Sequence, residues 1–295
     1  IIYQMDFINK NLIINKYSDP FPHVIIENFL NLEFYNEIEK NFPLVDEFKN
    51  QKNIVSRMNF DTTFGDYVYE KYCERSKEFK IFHDWVYSKN FIDYFTDLFS
   101  KELVNEHSKN FLSVDVNRIE KKDIIFEKGA VFNSKNLEIK KEKDTFIFPR
   151  LDVGIGIKNY GIDTGGRGPH IDNPQRLISI LFYCGGYKRI KGGEHRIYVK
   201  NDKLNDLEVE KIISPTRNKL IAAVQNNIAF HDVKPVTDIE GQRNAFYMAI
   251  SANTKLWKNP KKNKINKKYN KNRYEKNLLD LILDKFDKKS LFRNK

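Results

Sequence analysis

His170 and Asp172 put an imidazole and a carboxylate two residues apart, within the extended-looking segment Gly168-Pro169-His170-Ile171-Asp172-Asn173-Pro174. Side chains alternate between the faces of a strand, so residues i and i+2 project together. The pair therefore makes a two-ligand edge. A third ligand is offered by His231, inside the apolar and strand-like Ala229-Phe230-His231-Asp232-Val233. Two histidines and one carboxylate form the set that holds a non-haem Fe(II) and leaves coordination positions open. Downstream of His231, Arg243 opens a second strand-like run, Asn244-Ala245-Phe246-Tyr247-Met248-Ala249-Ile250. A planar, permanently charged fork beside an open metal site suits a dicarboxylate co-substrate.

Taken in order, these residues resemble the Fe(II)- and 2-oxoglutarate-dependent oxygenases, specifically their prolyl-4-hydroxylase-like branch. The likeness rests on the His-x-Asp with its following Asn173-Pro174, Arg176, the strand through Phe182-Tyr183, Gly192-Gly193-Glu194, His231 and Arg243. It covers roughly residues 146 to 252, and a weaker match runs from Pro20 to Leu30. The resemblance implies that His170, Asp172 and His231 bind iron and that Arg243 pairs with the distal carboxylate of 2-oxoglutarate. Tyr183 matches a tyrosine that, in the oxygen-sensing prolyl hydroxylases, donates its hydroxyl to that same carboxylate. Tyr160 matches a second pocket tyrosine of those enzymes. Oxygen is the implied second co-substrate, with succinate and carbon dioxide as products. Halogenating relatives carry Gly or Ala where Asp172 stands, so the resemblance implies hydroxylation. Metal and co-substrate carry the hard chemistry, and no nucleophile or acid–base pair is needed. The segment 111 to 145 has no counterpart in the compact family core.

The residues alone leave other readings open. Tyr183 shares a strand face with Leu177, Ser179 and Leu181, and is also readable as a core aromatic. Arg176 falls on the opposite face, as a rim or substrate-side residue or as a salt-bridge partner. His83 lies in an amphipathic helical stretch and is expected to pack, while His107 suits a solvated helix end. His23 reads as part of a turn ahead of Val24-Ile25-Ile26. His195, following a glycine turn near the expected barrel mouth, is a lesser candidate for substrate contact.

The elements that must position these groups are helices first and strands later. Helices are expected over 31–42, 67–88 and 91–103. Short strands are expected over 146–157, 177–184, 196–200, 220–225, 228–233 and 244–251, with the glycine pairs at 185–186 and 192–193 as turns. The fold class is mainly β with α decoration, a double-stranded β-helix (jelly roll, cupin-like) core preceded by N-terminal helices. We read 1–255 as a single domain, with a helical region over 1–110, the insert 111–145 and the core 146–255. Residues 256–295 form a basic tail containing a short amphipathic helix.

Of the chain's 51 Lys and Arg and 40 Asp and Glu, residues 255–295 hold 15 and 4, so the net charge of +11 belongs to the tail. A basic tail attracts phosphate polymers, but the body is neutral, and a nucleic-acid partner is not favoured over a small-molecule or peptidyl substrate. Cys73 and Cys184 make no disulfide framework, and a reducing, cytoplasmic compartment is expected. Neither a signal peptide nor a membrane span is expected, because no long apolar run occurs. The alternatives to an oxygenase are a jelly-roll module that binds metal or ligand without turnover, and an oxidative demethylase acting on nucleic acid.

Overall fold

The computed structural model describes residues 6–50, 60–103, 120–121, 146–158, 168–204 and 206–257. The insert 111–145, apart from its two-residue strand, and the basic tail from 258 onward lie outside them, as do Tyr160 and His107.

Two strands open the chain, β1 (Ile13–Tyr17) and β2 (His23–Glu27), followed by α1 (Leu32–Lys40) and α2 (Val45–Lys49). Then come β3 (Asp61–Thr63), α3 (Tyr67–Arg75), α4 (Lys77–Val86), α5 (Lys89–Leu98) and β4 (Glu120–Lys121). The remainder is all strand: β5 (Phe146–Gly156), β6 (Arg176–Lys191), β7 (His195–Asn201), β8 (Asp206–Ile213), β9 (Lys219–Val224), β10 (His231–Val233) and β11 (Asp238–Ala252). The large sheet runs β1-β2-β9-β6-β11-β5-β3, with β4 alongside β5, and the small one runs β10-β7-β8. His170 adds an antiparallel bridge to His231 at the open edge of β10. From β5 onward the chain passes back and forth between the two sheets, as in a jelly roll.

Each face of the large sheet has its own core. Ile178, Ile180, Phe182, Phe246, Met248 and Ile250 face the helices, where Phe42, Phe79 and Phe82 pack on them. Leu181, Tyr183, Ala245, Ile221 and Ala223 face the small sheet and meet Ile197 and Ile213. Strand alternation thus assigns every second residue of β6 and β11 to the inside of the sandwich.

Some expected boundaries differ for local reasons. The helix expected over 67–88 is two helices, because Ser76 adopts an extended backbone (φ −122°, ψ 108°) and its hydroxyl accepts the Phe79 N–H at 3.1 Å. That side chain caps α4 and ends α3. The Gly185-Gly186 pair is no turn. Both have positive φ, 73° and 83°, and lie within β6, where the register against β11 shifts. They form a bulge that lets one long strand continue. His23 does not sit in a turn but starts β2, fully buried. The N-terminal region supplies strands β1, β2 and β3 to the large sheet as well as helices.

Phe246 is fully buried among Phe42, Phe79, Phe82 and Phe182, with ring centroids 5.1–6.0 Å away. Phe246→Ala is expected to destabilise the fold by about 3–5 kcal/mol in urea denaturation, because the ring of neighbours cannot collapse into the space; a loss under about 1 kcal/mol would contradict this packing. His83, on α4, bonds the Tyr69 hydroxyl at 2.7 Å, and burial pushes its pKa from 6.5 down to about 4. Between those values the unfolded chain binds a proton that the folded chain does not, so stability falls as pH drops from 6.5 towards 4. The slope from this one group is at most about 1.4 kcal/mol per pH unit. His83→Gln should flatten the stability–pH curve in that window, and an unchanged curve would show that His83 titrates normally.

Candidate functional site

The site begins with a backbone interaction. His170 N–H donates to the His231 carbonyl at 3.0 Å, and His231 N–H donates back to the His170 carbonyl at 2.9 Å. Such a reciprocal pair sets two residues directly opposite, with side chains on one face. The ring centroids are 4.7 Å apart. Each Nδ1 lies against the carbonyl two residues earlier, Gly168 at 2.9 Å and Ala229 at 3.0 Å. A carbonyl only accepts, so each Nδ1 carries the proton and each Nε2 presents a lone pair.

Asp172 completes the group. Its Oδ1 is 4.0 Å from His170 Nε2 and its Oδ2 is 3.8 Å from His231 Nε2. Both separations are longer than a hydrogen bond and suit ligand atoms gathered around a common point. Among the described residues they are the one His/Cys/Asp/Glu group that could hold a metal ion, with all ligand atoms within 4.8 Å of one another. The Ser179 hydroxyl donates to Asp172 Oδ2, and Arg176 Nη1 approaches the same oxygen at 3.8 Å. Arg176 is thus an ion-pair partner of the carboxylate. This donor set fits a divalent first-row ion such as Fe(II): two imidazoles with outward lone pairs, and a carboxylate oriented by neighbours.

The strand that carries His231 is pinned from its outer face. Asp232, 1% exposed, takes a bidentate pair from Arg196 Nε at 2.7 Å and Nη2 at 2.6 Å, and a bond from the Tyr198 hydroxyl at 3.0 Å. With Asp232 held outward on β7, alternation turns His231 inward. The sequence signal for this anchor is an acid inside an otherwise apolar segment.

Arg243 lies elsewhere in the sandwich, 5% exposed on β11. Its Nη1 donates to the Gly193 carbonyl at 3.2 Å and its Nη2 to the Tyr247 hydroxyl at 2.7 Å, while its Nε has no partner. No carboxylate among the described residues pairs with it. β5 makes room: Gly156 stands opposite Arg243, and a Cβ there would come within 2.9 Å of the Nε. Gly154 does the same for the Tyr247 ring, which a Cβ would also approach to 2.9 Å. The Tyr183 hydroxyl donates to the same Gly193 carbonyl at 2.9 Å, with Arg243 Cζ 5.8 Å from its ring centroid. Burial raises the Tyr183 pKa, which keeps it a donor.

The structure thus brings His170, Asp172 and His231 together and sets Arg243 beside Tyr183. A phenol has one proton to give, so a bond from Tyr183 to a ligand would require release of Gly193. Sequence reasoning misses Tyr247, although Arg-x-x-x-Tyr on one strand and Gly-x-Gly on its neighbour mark the pair in retrospect. His195 is inside the sandwich, its ring 5.5 Å from that of His231 and nearly parallel to it at 29°. Burial, then the neighbouring His231 and His170, hold its pKa well below the ordinary value.

Removing the anchor of β10 should be costly. Asp232→Ala leaves Arg196 and Tyr198 without their shared acceptor and is expected to lower stability by about 3 kcal/mol in urea denaturation. Divalent-metal affinity should fall with it, read by calorimetry; wild-type values for both would show that the pair does not position His231.

No known family model matches the chain, and no curated protein sequence matches it. Among solved structures, it is similar to a prolyl 4-hydroxylase from Phytophthora capsici, at 13% identity over 78% of this chain and 58% of that one, with a TM-score of 0.43. A prolyl hydroxylase from Trichoplax adhaerens, solved with a peptide fragment of the hypoxia inducible factor oxygen degradation domain, is 15% identical over 78% of this chain and 83% of that one, with a TM-score of 0.37. An oxidoreductase of the 2OG-Fe(II) oxygenase family from Burkholderia pseudomallei is 17% identical over 40% of this chain and 48% of that one, with a TM-score of 0.26. The chain thus spans little more than half of the Phytophthora protein and about half of the Burkholderia one. At these identities and TM-scores the likeness carries no argument about activity, which rests on the residues themselves.

Proposed function

We propose that the protein is an Fe(II)- and 2-oxoglutarate-dependent dioxygenase that hydroxylates an unactivated carbon of a small-molecule or peptidyl substrate. The observation that carries this reading is Arg243: a guanidinium 5% exposed, with an orphaned Nε and no carboxylate partner among the described residues. An unneutralised buried charge is costly, and its natural complement is an anion. The three-ligand cluster lies on the same inner side: Gly193, which accepts from Arg243, is two residues from His195, whose ring stacks on His231. A ligand with a carboxylate at one end and metal-binding oxygens at the other fits that arrangement, and 2-oxoglutarate is such a molecule.

In this reading His170, Asp172 and His231 hold the iron through the two Nε2 atoms and a carboxylate oxygen. Bound iron, 2-oxoglutarate and oxygen supply the oxidising power, with succinate and carbon dioxide as co-products. The chain's own residues orient and exclude water. Ser179 and Arg176 aim the Asp172 carboxylate. Tyr247 and the Gly193 carbonyl fix the plane of the Arg243 fork, and Tyr183 fixes Gly193. A module that binds metal without turnover has no use for the anion clamp, and this separates the two readings.

Lysine cannot reproduce the fork. Arg243→Lys should raise the 2-oxoglutarate dissociation constant about tenfold to hundredfold while iron affinity hardly changes. His231→Ala should abolish iron binding and leave the fold intact. Anaerobic titration of the Fe(II) protein with 2-oxoglutarate, followed by the metal-to-ligand charge-transfer band, tests the first; calorimetry tests the second. Equal 2-oxoglutarate binding by wild type and Arg243→Lys would sink the assignment.

A further inference from the structure

Arg150 and Asp152 of β5 lie on the inner face of the large sheet, because Leu151 and Val153 pack with the helix-side core and side chains alternate. Arg150 Nε donates to Asp152 Oδ1 at 2.9 Å, and its Nη2 lies 2.9 Å from Oδ2, so the pair is bidentate. The two side chains are 21% and 18% exposed. Sheet register carries this pair towards the metal ligands: Arg150 stands opposite Ala249 on β11, and Ala249 stands opposite Ser179 on β6, whose hydroxyl donates to Asp172. Neighbouring strands lie about 4.8 Å apart, so two steps put the Arg150 and Ser179 backbones about 10 Å from each other. A long guanidinium side chain reaches over the one methyl group between them. Arg150, Asp152, Ser179, His170 and His231 all keep partial solvent contact, whereas Ala249 is buried. The pair thus belongs to the wall that runs up to the metal ligands.

We propose that Arg150 and Asp152 form the substrate subsite and that the substrate class is a free α-amino acid, its carboxylate meeting the Arg150 guanidinium and its ammonium the Asp152 carboxylate. This rests on the oxygenase reading above and deepens it. Two adjacent protein charges of opposite sign complement the two adjacent charges of a zwitterion. A guanidinium has five N–H donors and a carboxylate about four acceptor positions, so each can serve its neighbour and a ligand together. Asp61, opposite Gly154 on β3, is felt at Arg150 and adds negative charge on the side where the ammonium would lie. A residue within a peptide carries neither charge, because its backbone nitrogen and carbonyl are neutral amides, and it gives this pair nothing to recognise. The competing account is a structural ion pair that stiffens β5 and touches no substrate. Against it stands the desolvation cost of burying two charges on a wall that apolar side chains could fill.

The experiment is an anaerobic calorimetric titration of the full chain, loaded with Fe(II) and 2-oxoglutarate, with each proteinogenic L-amino acid, and then with the N-acetyl and carboxamide forms of those that bind. At least one free amino acid should bind, and blocking either end should weaken it about tenfold or more, the loss of a charge-assisted hydrogen bond. Arg150→Gln should weaken the free amino acid to the same extent and leave the 2-oxoglutarate dissociation constant, read by the charge-transfer band, unchanged. Arg150→Lys, which keeps the charge without the fork, should recover part of the loss. Should Arg150→Gln not fold, the double variant Arg150→Gln with Asp152→Asn removes both charges and strands neither. The proposal is overturned if no free amino acid binds, if the blocked forms bind as well as the free ones, or if the variants lose stability in urea but bind as wild type does, which is the signature of a structural pair. A wild-type protein that forms no band with 2-oxoglutarate would overturn the oxygenase reading and this one together, whereas a normal band without amino-acid binding would overturn only the role of Arg150 and Asp152.

Discussion

The candidate metal site depends on two backbone hydrogen bonds, those exchanged between His170 and His231. They join a segment that belongs to no long strand to the short edge strand β10, and they put two imidazoles opposite each other. Both Nδ1 atoms are occupied by carbonyls of their own chain, so each ring turns its Nε2 towards Asp172. Side-chain orientation at the site is thus inherited from main-chain geometry. The pair between half-buried Arg196 and buried Asp232 acts on the opposite face, holding β10 against β7 where three residues of pairing alone would be weak. An ion pair with one buried partner is poor evidence for stability and better understood as a device for register.

At the other pole the constraint is electrostatic. A guanidinium buried between two sheets costs free energy unless an anion or a full set of acceptors meets it. Here one carbonyl and one phenol meet two of its nitrogens. Two glycines, Gly154 and Gly156, let Arg243 and Tyr247 lie across β5. Space cleared for a charge that then lacks a counter-ion is the mark of a binding position. The helices contribute indirectly: the aromatic layer from Phe42 to Phe82 covers the outer face of β6 and β11, so the inner residues of those strands are free for function.

Much of this is legible in the sequence because it is periodic. The His-x-Asp spacing, the strand-like surroundings of His231 and the position of Arg243 all depend only on alternation along a strand. The jelly roll is legible for a related reason, many short apolar runs separated by turns. Features that depend on tertiary partners are not. Ser76 ends one helix and starts another because its hydroxyl finds a free N–H, and the helical periodicity across 67–88 conceals that. Gly185-Gly186 looks like a turn by composition and is a bulge because β11 continues alongside. Alternation puts Leu177 on the face of Tyr183, yet it packs with the helix-side core, next to a register shift near the start of β6.

By itself the sequence determined which residues could be ligands and which strand face each would share with its neighbours, since alternation is a local property of the backbone. Only the tertiary structure decided that the Nε2 atoms of His170 and His231 meet one carboxylate, that the Tyr247 hydroxyl rather than that of Tyr183 accepts a hydrogen bond from the Arg243 fork, and that His195 is buried inside with an unpaired nitrogen. These are distances between strands far apart in the chain. They depend on sheet register and on glycines that leave room, and no pattern along a single segment encodes them.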